Sequence, residues 1–281
     1  MVSISEFYRK SRSILENSGI ESFDFDVRCI MEDVLGMGFA QLMASGKDIT
    51  GQNEQTMQNM IKKRSSGYPL QYILGEWEFY GLPFKVGEGV LIPRQDTETL
   101  ADVVTEYSRG KKGLKILDLC SGSGCLAVAV EKNTDNSDVT AVELSEKAFE
   151  YLNENIKLNG SSVKALRADV LKSETAENFR DYDVIMSNPP YLTADDMENL
   201  QREVSYEPRT ALYGKTDDGL EFYRVISEIW YSSLKRNGIM AFEAGKGQAE
   251  DIAEILMKNG FSDIKITDDL AGIARVVSGR K

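Results

Sequence analysis

Apolar positions in the first 70 residues recur at helical spacing. Val27, Ile30, Met31, Val34 and Leu35 fall at i, i+3, i+4, i+7 and i+8, one face of an amphipathic helix. Asp24 or Asp26 is expected to cap that helix and Gly36 to end it. Ile4, Phe7, Tyr8, Ile14 and Leu15 predict an earlier helix, and Met57, Met60 and Ile61 a later one ending near Gly67 and Pro69. No alternating pattern interrupts this stretch, so residues 1–70 are expected to form a small helical bundle. Over residues 71–92 the character changes. Tyr72, Leu74, Trp77, Phe79, Tyr80 and Phe84, punctuated by Gly75, Gly81 and Pro83, predict a β-hairpin linker turning near Gly81. Residues 93–281 then alternate between short apolar strands (115–119, 139–144, 163–168, 182–187) and helices, of which 146–158 is stopped by Asn159-Gly160. Late strands at 239–243 and 273–277 flank a helix at 248–258. Such alternation predicts an α/β domain with a parallel sheet covered on both faces.

Composition narrows the chemistry. Among 281 residues, Lys plus Arg total 33 and Asp plus Glu total 45, a net charge of −12. Affinity for nucleic acid comes mainly from neutralised phosphates, so this balance points away from direct nucleic-acid binding and towards a basic protein partner. There is no histidine, which excludes hydrolases built on a histidine base. The three cysteines, Cys29, Cys120 and Cys125, show no CxxC spacing, so neither a metal site nor a disulfide framework is expected. The first ten residues mix polar and charged side chains, and apolar runs fall well short of the ~20 residues of a membrane helix. A cytoplasmic protein with no membrane partner is expected.

A glycine-containing loop, Asp118-Leu119-Cys120-Ser121-Gly122-Ser123-Gly124, falls between the first long strand and the next helix. Ligands of open α/β sheets bind beyond the carboxyl ends of the strands, and small residues there admit close approach. The loop lacks the third glycine of GxGxxG and the Lys-Ser/Thr ending of a phosphate-binding loop. Asp118 would repel phosphate but suits a cation, such as the ammonium and sulfonium of S-adenosyl-L-methionine. Glu143 ends the next strand, where a carboxylate accepts from ribose hydroxyls. Asp169, followed by Val170, ends the third, where a carboxylate accepts from an adenine amino group. The set resembles class I S-adenosylmethionine-dependent methyltransferases, with a Rossmann-like fold.

The strand 182–187 runs into Asn188-Pro189-Pro190-Tyr191. Two prolines end the strand and stiffen the loop. The Asn188 side-chain oxygen and the Pro189 carbonyl each suit one N–H of a planar NH₂ group, holding its nitrogen in line with a methyl donor. Tyr191 is a candidate to stack on a planar substrate. The corner resembles methyltransferases acting on adenine in nucleic acid and on glutamine in proteins, and by itself separates neither.

Further stretches do. Gly89-Val90-Leu91-Ile92-Pro93-Arg94-Gln95-Asp96-Thr97-Glu98-Thr99-Leu100 precedes the core, and Glu203-Val204-Ser205-Tyr206-Glu207-Pro208-Arg209-Thr210-Ala211-Leu212 follows the corner. Together they resemble the HemK/PrmC family, the peptide chain release factor glutamine N5-methyltransferases, over essentially the whole chain. The resemblance implies S-adenosyl-L-methionine as methyl donor, with S-adenosyl-L-homocysteine as product. It implies the glutamine of the Gly-Gly-Gln motif of class 1 release factors as substrate, and a substrate-recognition role for residues 1–70. A glutamine of a ribosomal protein, and less readily adenine N6, are the alternatives. The cofactor loop maps onto Asp118 to Gly124, the ribose acid onto Glu143, the adenine pocket onto Asp169 and Val170, and the catalytic corner onto Asn188, Pro189, Pro190 and Tyr191, with Asn188 expected to touch the cofactor as well. Cys120 stands where the family usually has glycine; being small, it is expected to leave the turn intact. Arg94, Asp96, Thr97 and Glu98 are expected to start a helix with Asp96 as its cap, to wall the site, or both, and residues 203–208 to wall the release-factor loop.

Overall fold

A computed structural model describes residues 2–281. The chain forms two compact units. The first joins Met1–Gly75 with Gln201–Tyr206; the second holds Glu76–Leu200 and Glu207–Lys281.

The first unit contains helices Ile4–Asn17, Phe23–Leu35, Phe39–Ala44, Gly51–Ser65 and Leu70–Leu74. Ser3 caps the first and Thr50 the fourth, each accepting from a backbone N–H three residues on. Leu15, Val27, Ile30, Met31, Leu42 and Met57 have no exposed surface and fill the core. Gly36 ends the second helix in the left-handed region, as expected (φ 64°). Neither Asp24 nor Asp26 caps it. Ser22 holds the cap position without a side-chain bond, Asp24 gathers Tyr8, Arg12 and Arg28, and Asp26 turns inward. There the buried Arg64 donates to Asp26 at 2.5 Å and also pairs with Glu203. Burial pushes the Asp26 carboxyl above its ordinary range, with Arg64 opposing. The short helix Leu70–Leu74 occupies residues read from the sequence as the start of the hairpin.

The second unit opens with that hairpin, β1 (Glu76–Phe79) and β2 (Leu82–Lys85). Its turn, Tyr80-Gly81, has positive φ at both residues (54° and 73°), as a type I′ turn requires. Phe79 and Phe84 sink into the core beside Leu100 and Val104. The fully buried Asn155 accepts from Lys85 N at 2.6 Å and returns a bond to its carbonyl at 3.1 Å.

The sheet comprises β3 (Lys115–Leu119), β4 (Asp138–Glu143), β5 (Lys164–Arg167), β6 (Tyr182–Ser187), β7 (Leu234–Glu243), β8 (Ser262–Asp268) and β9 (Ala274–Arg280). Its order is β5-β4-β3-β6-β7-β9-β8. The first five strands of that order are parallel; β9 lies antiparallel to β7 and to β8. The expected parallel sheet is therefore closed by an antiparallel pair, and β8 was not foreseen. Successive residues face opposite sides: Leu117 and Ile185 join one apolar cluster with Ile226 and Ile252, and Ile116 and Val184 join the other with Leu126 and Leu152. After β3 the chain adds β4 and β5 on one side, then crosses to lay β6 on the other. The carboxyl ends of β3 and β6 thus flank a topological switch point, where a crevice opens.

Candidate active site

The loop after β3 turns through positive φ at Cys120 (62°), Gly122 (53°) and Gly124 (80°). The turn survives with cysteine in the left-handed region, at a cost of about 1–2 kcal/mol relative to glycine. Backbone and side-chain bonds fix it. Ser121 N donates to Val142 O at 3.1 Å and Gly122 N to Glu143 Oε2 at 2.8 Å, while Asn155 Nδ2 donates to Ser123 O at 2.9 Å. A Cβ on Gly124 would fall 2.3 Å from Leu152 Cδ1, so glycine there serves helix packing.

A cavity of about 530 Å³ opens over the switch point. Asp118, Cys120, Ser121, Gly122, Ser123, Glu143, Asp169 and Val170 line it, together with Arg94, Thr97, Asn188 and Pro190. Gly124, Pro189 and Tyr191 are not in its wall. Asp118 is 1% exposed, and neither carboxylate oxygen makes a hydrogen bond of normal geometry. Burial, partly offset by the nearby Ser121 hydroxyl, pushes its carboxyl up to about 8. Glu143 accepts from Gly122 N and, at 2.7 Å, from Ser145 N, leaving each oxygen a second acceptor position. Burial raises its pKa and those backbone bonds oppose the rise. Asp169 Oδ1 accepts from Leu171 N at 3.0 Å.

Beside the loop stands the corner after β6. Ser187 Oγ, buried, donates to Leu119 O at 2.6 Å and ties the ends of β6 and β3 together. Asn188 Nδ2 donates to Thr97 Oγ1 at 3.1 Å, leaving Oδ1 as the amide's acceptor. Tyr191 packs its ring against the core cluster and gives its carbonyl to Gln248 Nε2 at 3.1 Å. That bond ties the loop to Gln248. A Cβ on Gly219 would fall 2.1 Å from the same carbonyl, so only glycine fits beside the corner.

The flanking stretches also differ from expectation. Asp96 caps no helix; it pairs with Arg275 at 3.0 Å, and Thr97 precedes helix Glu98–Ser108 without a side-chain cap. Glu98 accepts from Tyr80 N at 2.8 Å. Of residues 203–208, Pro208 alone lines the cavity, which continues through Arg209, Thr210, Ala211 and Tyr213. The buried Glu207 pairs with Arg94 and accepts from Ile92 N at 3.0 Å, clamping the two stretches together.

The family described as PrmC N-terminal domain matches residues 6–75, and the Methyltransferase small domain matches residues 95–212. The chain is 40% identical to the release factor glutamine methyltransferase of Fusobacterium nucleatum subsp. nucleatum, over 98% of this chain and 78% of that protein. It is 39% identical to that of Thermodesulfovibrio yellowstonii, over 92% and 94%. The chain belongs to the release factor glutamine methyltransferases. Solved structures give the fold of this family member as that of class I S-adenosylmethionine-dependent methyltransferases. A methyltransferase from Pyrococcus furiosus superposes with a TM-score of 0.53 at 22% identity, covering 72% of this chain and 90% of that one. The T. thermophilus 16S rRNA N2 G1207 methyltransferase, in complex with AdoMet and guanosine, does so at 0.53 and 16%, covering 73% and 49%.

One further acid at the site of this release factor glutamine methyltransferase was not singled out from the sequence. Glu243 ends β7 beside the corner and is 1% exposed, with Oε2 buried without a partner and the Thr97 and Asn188 side chains near enough to draw its carboxyl down. The available signal was an acid at a strand's carboxyl end, the same signal that drew attention to Glu143. Among the described residues no cluster of His, Cys, Asp or Glu is arranged to hold a metal ion, and no helix is long and apolar enough to cross a membrane.

Proposed function

We propose that this chain transfers a methyl group from S-adenosyl-L-methionine to the side-chain amide nitrogen of the Gly-Gly-Gln glutamine of class 1 peptide chain release factors. The observation that carries this reading is one cavity holding both an unpartnered buried carboxylate, Asp118, and the acceptor oxygen of Asn188. The donor set fits the cofactor: acids with small residues between them, and no basic side chain at the loop to hold a phosphate. Asp118 matches the ammonium, Glu143 the ribose hydroxyls and Asp169, beside Val170, the adenine amino group. When bound, the cofactor supplies an activated methyl on a sulfonium leaving group.

The chain's own residues then orient and restrain. Asn188 Oδ1 and the Pro189 carbonyl accept the two N–H groups of the glutamine amide and favour the positive charge that develops on its nitrogen. Pro189 and Pro190 keep that loop from yielding. Tyr191, through Gln248, anchors it from behind. The release factor reading, rather than ribosomal protein or adenine, is the one the similar relatives carry in their names. The helical unit formed by Met1–Gly75 is assigned the grip on the release factor away from the reacting glutamine.

The test is transfer from labelled S-adenosyl-L-methionine to purified release factor, with the modified residue located by mass spectrometry. Label on the Gly-Gly-Gln glutamine is expected; label on a ribosomal protein or on nucleic acid instead would overturn the substrate. A short Gly-Gly-Gln peptide is expected to react with a far lower kcat/KM than the whole factor. Equal values would remove the recognition role of the helical unit.

Asp118 gives a pH prediction. With its carboxyl up near 8, the free protein is protonated there at pH 7, whereas a bound ammonium favours the carboxylate. Cofactor affinity is expected to rise about tenfold per pH unit towards 8 and then level off. Calorimetry in two buffers of different ionisation enthalpy should show nearly one proton released per cofactor bound at pH 7. No proton release would mean that Asp118 is already ionised.

A further inference from the structure

We propose that Glu243, acting through Thr97, is the positioning residue that turns the Asn188 amide so that its oxygen faces the substrate. This rests on the reading of Asn188 given above.

A side-chain amide has two faces of nearly equal shape, and only one is useful here. If Asn188 were reversed, its NH₂ would face the reacting NH₂ of the substrate, donor against donor. Asn188 Nδ2 donates to Thr97 Oγ1 at 3.1 Å. A hydroxyl that accepts there must send its own proton elsewhere, and the acceptor near it is the buried Glu243 carboxylate, whose pKa the Thr97 and Asn188 side chains both draw down. A carboxylate only accepts. Behind the corner it receives the threonine proton and repels the amide oxygen, so the reversed amide would set two acceptors against each other in a dry interior. Glu243 Oε2 is buried without a partner, so nothing in the structure supplies a competing donor to that oxygen. The surroundings hold the arrangement in place. The Tyr223 hydroxyl donates to the Glu243 backbone carbonyl at 2.9 Å, and Arg275 donates to Ala244 O at 3.3 Å.

The charged and titratable groups facing Glu243 come from five elements. They are Arg275 on β9, Asp96 in the turn Gln95–Thr97, Tyr191 after β6, Tyr223 on helix Glu221–Ile229 and Cys125 on helix Cys125–Lys132. Arg275, which also pairs with Asp96 and with Asp269 at 3.3 Å, draws the Glu243 carboxyl down, and Asp96 pushes it up. Burial pushes the Glu243 carboxyl up to about 7, against the bonds from Thr97 and Asn188. Above that pH the carboxylate fixes the amide. Below it, a protonated Glu243 becomes a donor, the reversed amide is accommodated, and methyl transfer falls. The orienting effect is lost as pH drops.

Glu243→Gln keeps the shape but offers a donor and an acceptor. It is expected to lower kcat about 10- to 100-fold, with little change in cofactor KM, and to abolish the acid limb of the kcat profile. Measurement at saturating cofactor keeps Asp118 out of that limb. Thr97→Val is expected to act alike, and Thr97→Ser to recover most of what Thr97→Val loses. Selective ¹⁵N-asparagine labelling, with the Asn188 signal assigned by its loss in Asn188→Ala, supplies a readout independent of any substrate. In wild type the side-chain NH₂ resonances should shift with a midpoint near 7; in Glu243→Gln they should not. No such midpoint in wild type, or wild-type kcat and acid limb in Glu243→Gln, overturns the proposal. A midpoint present in a protein that labels no release factor overturns the substrate reading alone. Should Glu243→Gln fail to fold, Thr97→Val and the wild-type titration decide.

Discussion

Asn188→Ala is expected to lower kcat for methyl transfer about 100- to 1000-fold, the range seen when one preorganised polar partner is removed from a developing charge. An amide nitrogen is a poor nucleophile because its lone pair is shared with the carbonyl, so holding it in line matters more than for an amine. In the proposed reaction that holding falls to Asn188 Oδ1 and the neighbouring Pro189 carbonyl, on a loop that carries two prolines. Removing one leaves the nitrogen free to swing about the other. Cofactor affinity should change less, because Asp118, Glu143 and Asp169 remain in the cavity. Single-turnover transfer from labelled cofactor, beside calorimetry of cofactor binding, separates the two effects. A rate within tenfold of wild type would mean that the Pro189 carbonyl suffices. Asn188→Asp should not rescue, since it would set a second carboxylate against Glu243.

The largest expected effect on stability lies elsewhere. Arg64→Ala should destabilise the helical unit by about 3–5 kcal/mol, the cost of leaving a buried charge without its partner. Arg64 is 1% exposed and Asp26 2%, so neither has water to fall back on. Without the guanidinium, the Asp26 carboxyl rises further, and the folded chain then holds a proton that the unfolded chain releases near pH 4. Stability of the variant should therefore fall as pH rises through that window, making the loss greater at pH 8 than at pH 5. Hydrogen exchange of the helices Phe23–Leu35 and Gly51–Ser65 reads this in the whole chain. Adding Asp26→Asn should recover part of the loss. Unchanged protection in Arg64→Ala would show that water reaches Asp26.

Strands β3 and β6 were legible residue for residue, because each is a short apolar run bounded by glycine or proline. Edge strand β8 was not: its side chains are mostly exposed, so no burial pattern marks it. The antiparallel end of the sheet was hidden for the same reason, since direction is set by pairing and leaves no trace in periodicity. Tyr72 and Leu74 read as hairpin because aromatic residues near glycine suit a strand, yet tertiary packing made their segment a helix. The acids near helix starts, Asp24, Asp26 and Asp96, were read as caps because capping is local. Their actual partners include Arg64, 38 residues away, and Arg275. At the site, the loop and the corner carry their chemistry in contiguous residues and so were visible. The link from Asn188 through Thr97 to Glu243 joins three distant segments, and only the fold brings them together.

Glu203 carries a consequence for how the chain is made. It lies 139 residues after Arg64, yet it completes the ion pairing inside the first unit. At about 5–20 residues per second, roughly 7–28 s separate the synthesis of the two. The helices emerge first, but the residues of their unit are all present only after β3 to β6 have been made. The helical unit is thus early in sequence and late in completion. A chimera that exchanges it between relatives must carry Gln201–Tyr206 along, or the transplanted arginine arrives without its second carboxylate.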